Sequence, residues 1–385
     1  MKSLIVLLFV GVCTMVVAQN NTPLNTNSAE PIRNANEVPV EEELEIRKPV
    51  SRSKAEELQK AKKYDRKVKE SVQQQAVELG NFKSSFQSSK HAAGLQSTRR
   101  TPTDAQQINM NQVVEQYRKQ DPNSFEYNYF KYASGNHNTD WYKYLQKAEK
   151  FKPNNTDVIS LMVAYHSIEG NDQQMKNYLK RLLSSGRLEE ELLVYAKHLL
   201  DGVSKGGALI THGFDDTYSV LYQQAVKGYR SDVYVISLDF IQSKQLRRTL
   251  AEKAYKVPVS MVVDVRFLKE FCEQNKGKKL FLSMTIPKPY LKAIVNDLGI
   301  SGLAFEYGRE SSDLKKNGEL WDKWSANGEV NSYTKTKTKK MSSNYLLMLH
   351  LLNSGQSGGG YSYSTGKYQK AIDQIMVQSK KGSYK

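Results

Sequence analysis

Apolar residues along this chain change their spacing as the chain proceeds, and those changes divide it. From Met110 to about Leu200 they recur at three- and four-residue steps, the period of helices with one buried face. Trp141, Tyr144, Leu145 and Ala148 fall on one such face, and Lys152-Pro153-Asn154-Asn155 stops the helix. A second predicted helix carries Val158, Ile159, Met162, Val163 and His166, and Glu169-Gly170-Asn171-Asp172 turns the chain. A third carries Met175, Tyr178, Leu179, Leu182 and Leu183, and Leu188 to Leu200 adds another. Then the period breaks. Ala208 to Thr211, Val233 to Ile236, Lys279 to Met284 and Gly302 to Phe305 are apolar runs too short for helices, which predicts strands. Between the first two, Asp215 or Asp216 offers an N-cap for a helix with Val220, Leu221, Ala225 and Val226, and Gly228 suits its C-cap. Helices are also predicted through Leu246 and Leu250, through Val262 to Phe271, and from Pro287 to Leu298. Strand–helix–strand order implies right-handed crossovers and parallel pairing. The pattern therefore predicts an α/β plus all-α protein: a small four-stranded parallel, doubly wound, Rossmann-like sheet with helical-repeat-like segments before and after it.

The ends read differently. Lys2 followed by the apolar run Leu4 to Val12 and the small residue Ala18 predicts a signal peptide over 1–18, cleaved before Gln19. Lipidation at Cys13 fits poorly, because a valine precedes it. Residues 19–105 read as a largely disordered leader with one charged helix, on which Leu58, Ala61, Tyr64, Val68 and Val72 form a thin apolar stripe. That stripe suits a solvated helix or a partner-docking segment. Lys83 to Gln107 is Ser/Thr/Gln-rich and reads as a linker. The helical region spans 106–203, the α/β domain 204–309, and 310–385 holds a basic loop, Lys335 to Lys340, and a helical hairpin. Its helices run from Ser342 to Leu352 and Tyr368 to Val377, joined through the glycine-rich stretch Gly355 to Gly366.

Composition adds compartment and partners. Past the predicted signal only Cys272 remains, so no intramolecular disulfide can form and the cores must hold the fold. That suits export to the periplasm or outer-membrane periphery of a bacterium. With 56 Lys+Arg against 40 Asp+Glu the formal net charge is +16. Such a surplus favours anionic partners: envelope proteins with acidic surfaces, or peripheral contact with membrane or polysaccharide. Export and the lack of a reader motif exclude nucleic acid.

Ligands of open parallel sheets sit beyond the carboxyl ends of the strands. His212, Asp215, Asp216, Asp239, Thr285 and Glu306 fall there on the predicted strands. One histidine and four carboxylates would suit an acid/base pair or a divalent cation. Each also has a structural reading: Asp215 or Asp216 as a helix cap, Glu306 as the counter-charge of Arg309. The histidines lack metal-ligand spacing, and no metal or cofactor is expected. No G-x-G-x-x-G follows the first strand, no P-loop occurs, and no G-x-S-x-G elbow follows a predicted strand of the sheet. Cys272 lies among Phe267, Leu268 and Phe271, which predicts a buried, inert thiol. Trp321 and Trp324, three apart, predict a packing face.

Two resemblances follow from the residues. The order helix, Pro-Asn, helix, Gly-Asn, helix resembles tetratricopeptide repeats. Ala148 and Pro153 match that pattern in spacing, while Val163 and Met175 stand where it has small residues, so the match is degenerate. Separately, Gly213-Phe-Asp-Asp-Thr-Tyr218, Leu221-Tyr-Gln-Gln224 and Gly228-Tyr-Arg-Ser-Asp-Val233 resemble the soluble C-terminal module of protein O-mannosyltransferase-like bacterial envelope proteins. Asp216-Thr217-Tyr218 keeps that family's turn; His212-Gly213-Phe214 departs from its first part. Asn344-Tyr345 and Lys370-Ala371-Ile372 resemble its closing helical pair. The multispanning part of that family has no counterpart here, so sugar transfer does not carry over. The resemblance implies a soluble module attached to a surface, type IX secretion or gliding assembly. The sequence thus predicts an exported, non-catalytic binding or scaffold protein. The alternative is an envelope glycan-acting enzyme using His212, Asp216 and Glu306.

Overall fold

The computed structural model describes residues 52–95, 97–309, 311–330, 341–355 and 365–381. The predicted signal peptide, the polar leader before Arg52, the basic run at 335–340 and most of the glycine-rich connection lie outside them. Two compact units occur, Asn21–Ser85 and one that includes Phe86–Lys385. The described part of the first belongs to helix α1 (Arg52–Leu95), where Arg66 and Glu70 form an exposed i,i+4 pair.

In the larger unit, local chemistry sets the helix starts. Helix α2 (Asp104–Gln120) opens on a capping box between Thr103 and Gln106, and α3 (Phe125–Ala133) on Ser124. After α4 (Tyr142–Phe151), Asn155 caps α5 (Thr156–Ile168), and Asn171 caps α6 (Asp172–Ser184). The asparagines that end one helix therefore begin the next. Each accepts the backbone N–H three residues on, at 3.0 and 3.2 Å. Tyr132, Leu145, Ala148, Val158 and Met162 bury together. From Ile159 on, the apolar faces join one core that continues through α7 (Glu190–Gly202) and the sheet to the last helix.

The sheet has five strands, not four, and it is mixed. Its order is β2-β1-β3-β5-β4, from β1 (Ala208–Thr211), β2 (Tyr234–Ser237), β3 (Leu280–Ser283), β4 (Leu298–Ser301) and β5 (Ala304–Tyr307). β1 pairs parallel with β2 and β3, as expected of βαβ units, through α8 (Gly213–Ala225) and then α9 (Lys244–Glu252) and α10 (Val265–Gln274). The first crossover moves one way along the sheet and the second reverses, so right-handedness sends their helices to opposite faces. The far half departs from expectation. The helix after Pro287 is only α11 (Lys288–Lys292), and Leu298–Ser301 forms a hairpin with β5, which runs antiparallel to β3. The hairpin turn meets the end of α7 backbone to backbone. A Cβ on Gly202 would lie 2.2 Å from the Ser301 carbonyl oxygen, and one on Gly302 2.9 Å from Gly202 Cα. Only glycine fits that approach.

Helix α12 (Leu314–Ala326) buries Trp321 and Trp324. α13 (Asn344–Gly355) and α14 (Thr365–Lys381) pack together behind it, burying Tyr345, Met348, Leu349, Tyr368 and Ile372. Cys272 is buried, and burial pushes its thiol above the usual range. No helix among the described residues is long and apolar enough to cross a membrane.

The predicted linker is not one throughout. Phe86 is buried against Phe130, with ring centroids 4.5 Å apart. Arg99 bridges to Asp264, the Arg100 N–H donates to the Val263 carbonyl at 2.7 Å, and Val265 N–H donates to Thr98 at 3.2 Å. Polar side chains made this stretch look like solvent-exposed chain, but its backbone adds to the edge of the α/β part.

Candidate functional site

Strands β1, β2 and β3 deliver four of the six candidate residues to their carboxyl ends. β1 runs into His212, the N-cap of α8, and Gly213 follows with φ +75°, a left-handed turn that suits glycine. The helix thus starts earlier than the sequence suggests, and neither Asp215 nor Asp216 is its N-cap. Asp216 sits in the first turn and reaches back instead. Its Oδ2 accepts the His212 N–H (3.0 Å) and the Thr285 hydroxyl (2.8 Å), and its Oδ1 accepts the Ser283 hydroxyl (3.1 Å). One carboxylate therefore ties β1 and α8 to the end of β3 across the point where the crossovers reverse. It is 1% exposed. Burial outweighs the donated hydrogen bonds and pushes its pKa up to about 6.

Asp239, just beyond β2, performs the matching task. It accepts the Gly213 N–H at 2.7 Å and an ion pair from Arg100, with Nε at 2.9 Å and Nη2 at 2.8 Å. Burial alone would raise its pKa, but Arg100, His212 and the Gly213 N–H prevail and hold it well below the usual carboxylate range. His212 is pushed down to about 4, first by burial and then by the Arg100 charge, so it is a neutral imidazole at neutral pH. Its Nε2 has no hydrogen-bond partner among the described residues. Asp215 lies partly buried in the first turn of α8, where its charge suits the helix dipole.

Glu306 does not join this group. β5 runs antiparallel, so Glu306 pairs in register with Phe281, toward the opposite end of β3 from Thr285, and makes an ion pair with Arg309 at 3.0 Å. The constellation His212, Asp216 and Glu306 is not assembled. Among the described residues no group of three or more His, Cys, Asp or Glu could hold a metal ion.

Asp239 also faces a cavity of about 210 Å³ between the helical and α/β parts. Its lining includes Lys90, Arg100, Tyr132, His137 and Gln242, none of them a sequence candidate. Asn136 and His137 both have positive φ, 48° and 63°, and this loop brings the His137 ring edge-on to Phe240. Strained backbone of this kind collects at binding sites. The sequence carried one faint signal here, the turn-forming run Gly135-Asn-His-Asn138.

A second buried network fastens α7 to α12 and α13. His198, fully buried, stacks on Trp324 with centroids 4.3 Å apart. It meets Tyr345 Oη through Nδ1 and Glu329 through Nε2, both at 2.7 Å, while Lys197 also binds Glu329. Burial pushes His198 down to about 4 against the opposing pull of Glu329. A neutral ring donating from Nε2 and accepting at Nδ1 satisfies all three groups. Asp201 accepts from Trp324 Nε1 (2.9 Å), Lys323 and Tyr229.

Fold and site together define a small mixed α/β sheet whose strand ends are filled by structural polar contacts and flanked by helices. The family described as TMEM260-associated domain 2 matches residues 193–346. That description is loosely compatible with the mannosyltransferase-like resemblance noted above. No curated protein and no solved structure matches the chain. Both polar networks lie mainly within the matched residues. Lys90, Arg100, Tyr132 and His137, which form the far wall of the cavity, precede them.

Proposed function

We propose that this chain is an exported, non-catalytic binding and scaffold protein of the bacterial envelope, an accessory of a surface, secretion or gliding assembly. On this reading the α/β part is a soluble module like that of mannosyltransferase-like envelope proteins, and the preceding tetratricopeptide-like helices present the docking surface. The observation that carries it is the Asp216 carboxylate. A carboxylate only 1% exposed and engaged by three internal donors is occupied as a cross-strand tie, which supports a structural role for the strand end where an acid or base would stand. The partner's chemistry follows from charge. Lys143, Lys147 and Lys150 are all exposed on α4, and the whole chain carries +16, which favours an acidic surface.

Substitution at Asp216 tests the reading. Asparagine keeps an acceptor for the fixed His212 N–H, and the hydroxyls of Ser283 and Thr285 can turn, so Asp216→Asn should cost no more than about 1 kcal/mol. Alanine strands the buried N–H and should cost about 2–3 kcal/mol. In a strain lacking the wild-type gene, Asp216→Asn should restore the phenotype fully. A stable Asp216→Asn protein that fails to restore it would show that the carboxylate serves chemistry and would overturn the proposal.

A further inference from the structure

We propose that the loop between α9 and α10 is a membrane-contact site, an apolar tip that enters an anionic lipid surface within a basic surround, independent of the scaffold role. The tip is Val259-Ser260-Met261. Val259 is 95% exposed and Met261 48%. Among the described residues of the larger unit, no other two exposed large apolar side chains stand so near each other in sequence.

The exposure is built into the backbone. Ahead of the tip, the Lys256 N–H donates to Asn275 Oδ1 at 2.9 Å, and the Lys256 carbonyl accepts from Asn275 Nδ2 at 2.8 Å. Pro258 is buried. Beyond the tip, the Val263 N–H donates to the Thr101 hydroxyl at 2.8 Å, and its carbonyl accepts the Arg100 N–H. At the tip itself, the Arg247 guanidinium donates to the Ser260 carbonyl at 2.6 Å and reaches those of Pro258 and Met261 at 3.4 and 3.5 Å. The Ser260 hydroxyl accepts the Val262 N–H at 3.2 Å, closing the turn. One guanidinium thus gathers the inward carbonyls and leaves the two apolar side chains in water. Holding apolar surface there is unfavourable, and a backbone fixed at this many points does not fold its tip back.

Shape and charge choose the partner. Val259 projects clear of its neighbours, so the tip must enter its partner rather than receive it. A lipid interface takes such a side chain without a preformed pocket. Lys244, Arg248, Lys253, Lys256, Arg266 and Lys269, on α9, the loop and the start of α10, are all exposed. Glu252 and Asp264 are the carboxylates of that span, and Asp264 is engaged by the Phe267 N–H at 2.9 Å. Beside the loop's exit, Arg266 and Lys269 share a shallow surface depression with Arg99. Anionic headgroups answer this surplus, each nearby Lys or Arg adding an attraction that salt weakens. An acidic protein surface would answer the charges and leave the tip in water.

Cosedimentation of the full chain, purified from producing cells, with vesicles of equal parts phosphatidylglycerol and phosphatidylcholine tests the site. Binding should saturate by ~1 mM lipid, and weaken at least about tenfold on pure phosphatidylcholine or in about 0.5 M salt. Val259→Ser with Met261→Ser should weaken it by about tenfold or more, because apolar transfer into the interface is lost. Both side chains are exposed, so the melting temperature should not fall, which separates lost binding from lost folding. Lys256→Glu with Arg266→Glu should weaken binding by about tenfold at ~0.1 M salt and by less at ~0.5 M. No binding at millimolar lipid would overturn the proposal, and tip-dependent crosslinking to an acidic protein in its place would assign the loop to protein docking. Undiminished binding by the serine variant would place the contact elsewhere on the chain, and equal binding to phosphatidylcholine would overturn the anionic assignment.

Discussion

Replacing Arg100 by methionine should be among the more damaging single changes in the larger unit, although residue 100 sits in a stretch that reads as linker. The side chains of Arg100 and Asp239 are 9% and 21% exposed, and both contacts are shorter than 3 Å. Methionine keeps the packing volume and leaves Asp239 buried with the Gly213 N–H as its remaining strong partner. Breaking a fully buried pair costs about 3–5 kcal/mol. Asp239 retains some water access, so about 2–3 kcal/mol is expected here. Asp239→Asn should recover much of that loss in the Arg100→Met background, since an amide can still accept from Gly213 without a stranded charge. The pair should therefore show a coupling energy of at least about 1.5 kcal/mol in a double-mutant cycle. The sign with pH is fixed. In the wild type the Asp239 pKa is depressed, so its contribution is present above the unfolded value of 3.8 and lost as pH falls through the folded value. Removing Arg100 removes that contribution, so the gap between variant and wild type should be widest near pH 7 and narrow on acidification. Urea unfolding followed by circular dichroism at pH 7 and pH 3 measures all of this. A cost below about 0.5 kcal/mol, or coupling near zero, would refute the assignment of residues 97–102 to the folded core.

Two further outcomes follow from the packing and the buried histidines. Gly202→Ala places a Cβ 2.2 Å from the Ser301 oxygen and should cost about 1–3 kcal/mol or more. Gly318→Ala in α12, whose Cβ would meet nothing closer than 3.5 Å, should be neutral or stabilising by up to ~1 kcal/mol, and thermal melts of the two compare them directly. His137, His198 and His212 are each held down to about 4 from 6.5, so the unfolded chain takes up their protons first and stability falls as pH drops from 6.5 to 4. Asp216, raised to about 6 from 3.8, opposes this with one proton, leaving a net difference of about two and a slope of about 2–3 kcal/mol per pH unit near pH 5. Denaturation midpoints that stay flat from pH 6.5 to 4.5 would contradict the burial of these rings.

Local signals in the sequence read well and distant ones poorly. The helices bearing Leu145, Val158, Met162 and Leu179 were legible because their apolar residues repeat at the helical period, and asparagines mark the starts of the last two. β1, β2 and β3 were legible as short apolar runs between turn residues. β4 was not. Tyr290, Leu291, Ile294 and Leu298 keep a helix-like spacing, and a four-residue strand containing Gly299 carries too little pattern to compete. Strand direction is not written in composition, which is why Glu306 was assigned to the wrong end of the sheet. At the candidate site, Asp239 was found because it follows a strand. Arg100 was missed because its partner lies 139 residues away. Tyr132 and His137 were missed because nothing local distinguishes a helix end that lines a cavity from one that meets solvent.

The scaffold reading is tested most directly by capturing the partner in its own compartment. A photo-crosslinking amino acid at position 147, on the exposed basic face of α4, should join the protein to one envelope protein of acidic surface in living cells. Exchanging Lys143 and Lys150 for glutamate in the same chain should abolish that product while leaving the melting temperature unchanged, since both side chains are exposed. A product that persists undiminished after charge reversal, or no product above that of a control position, would contradict the account.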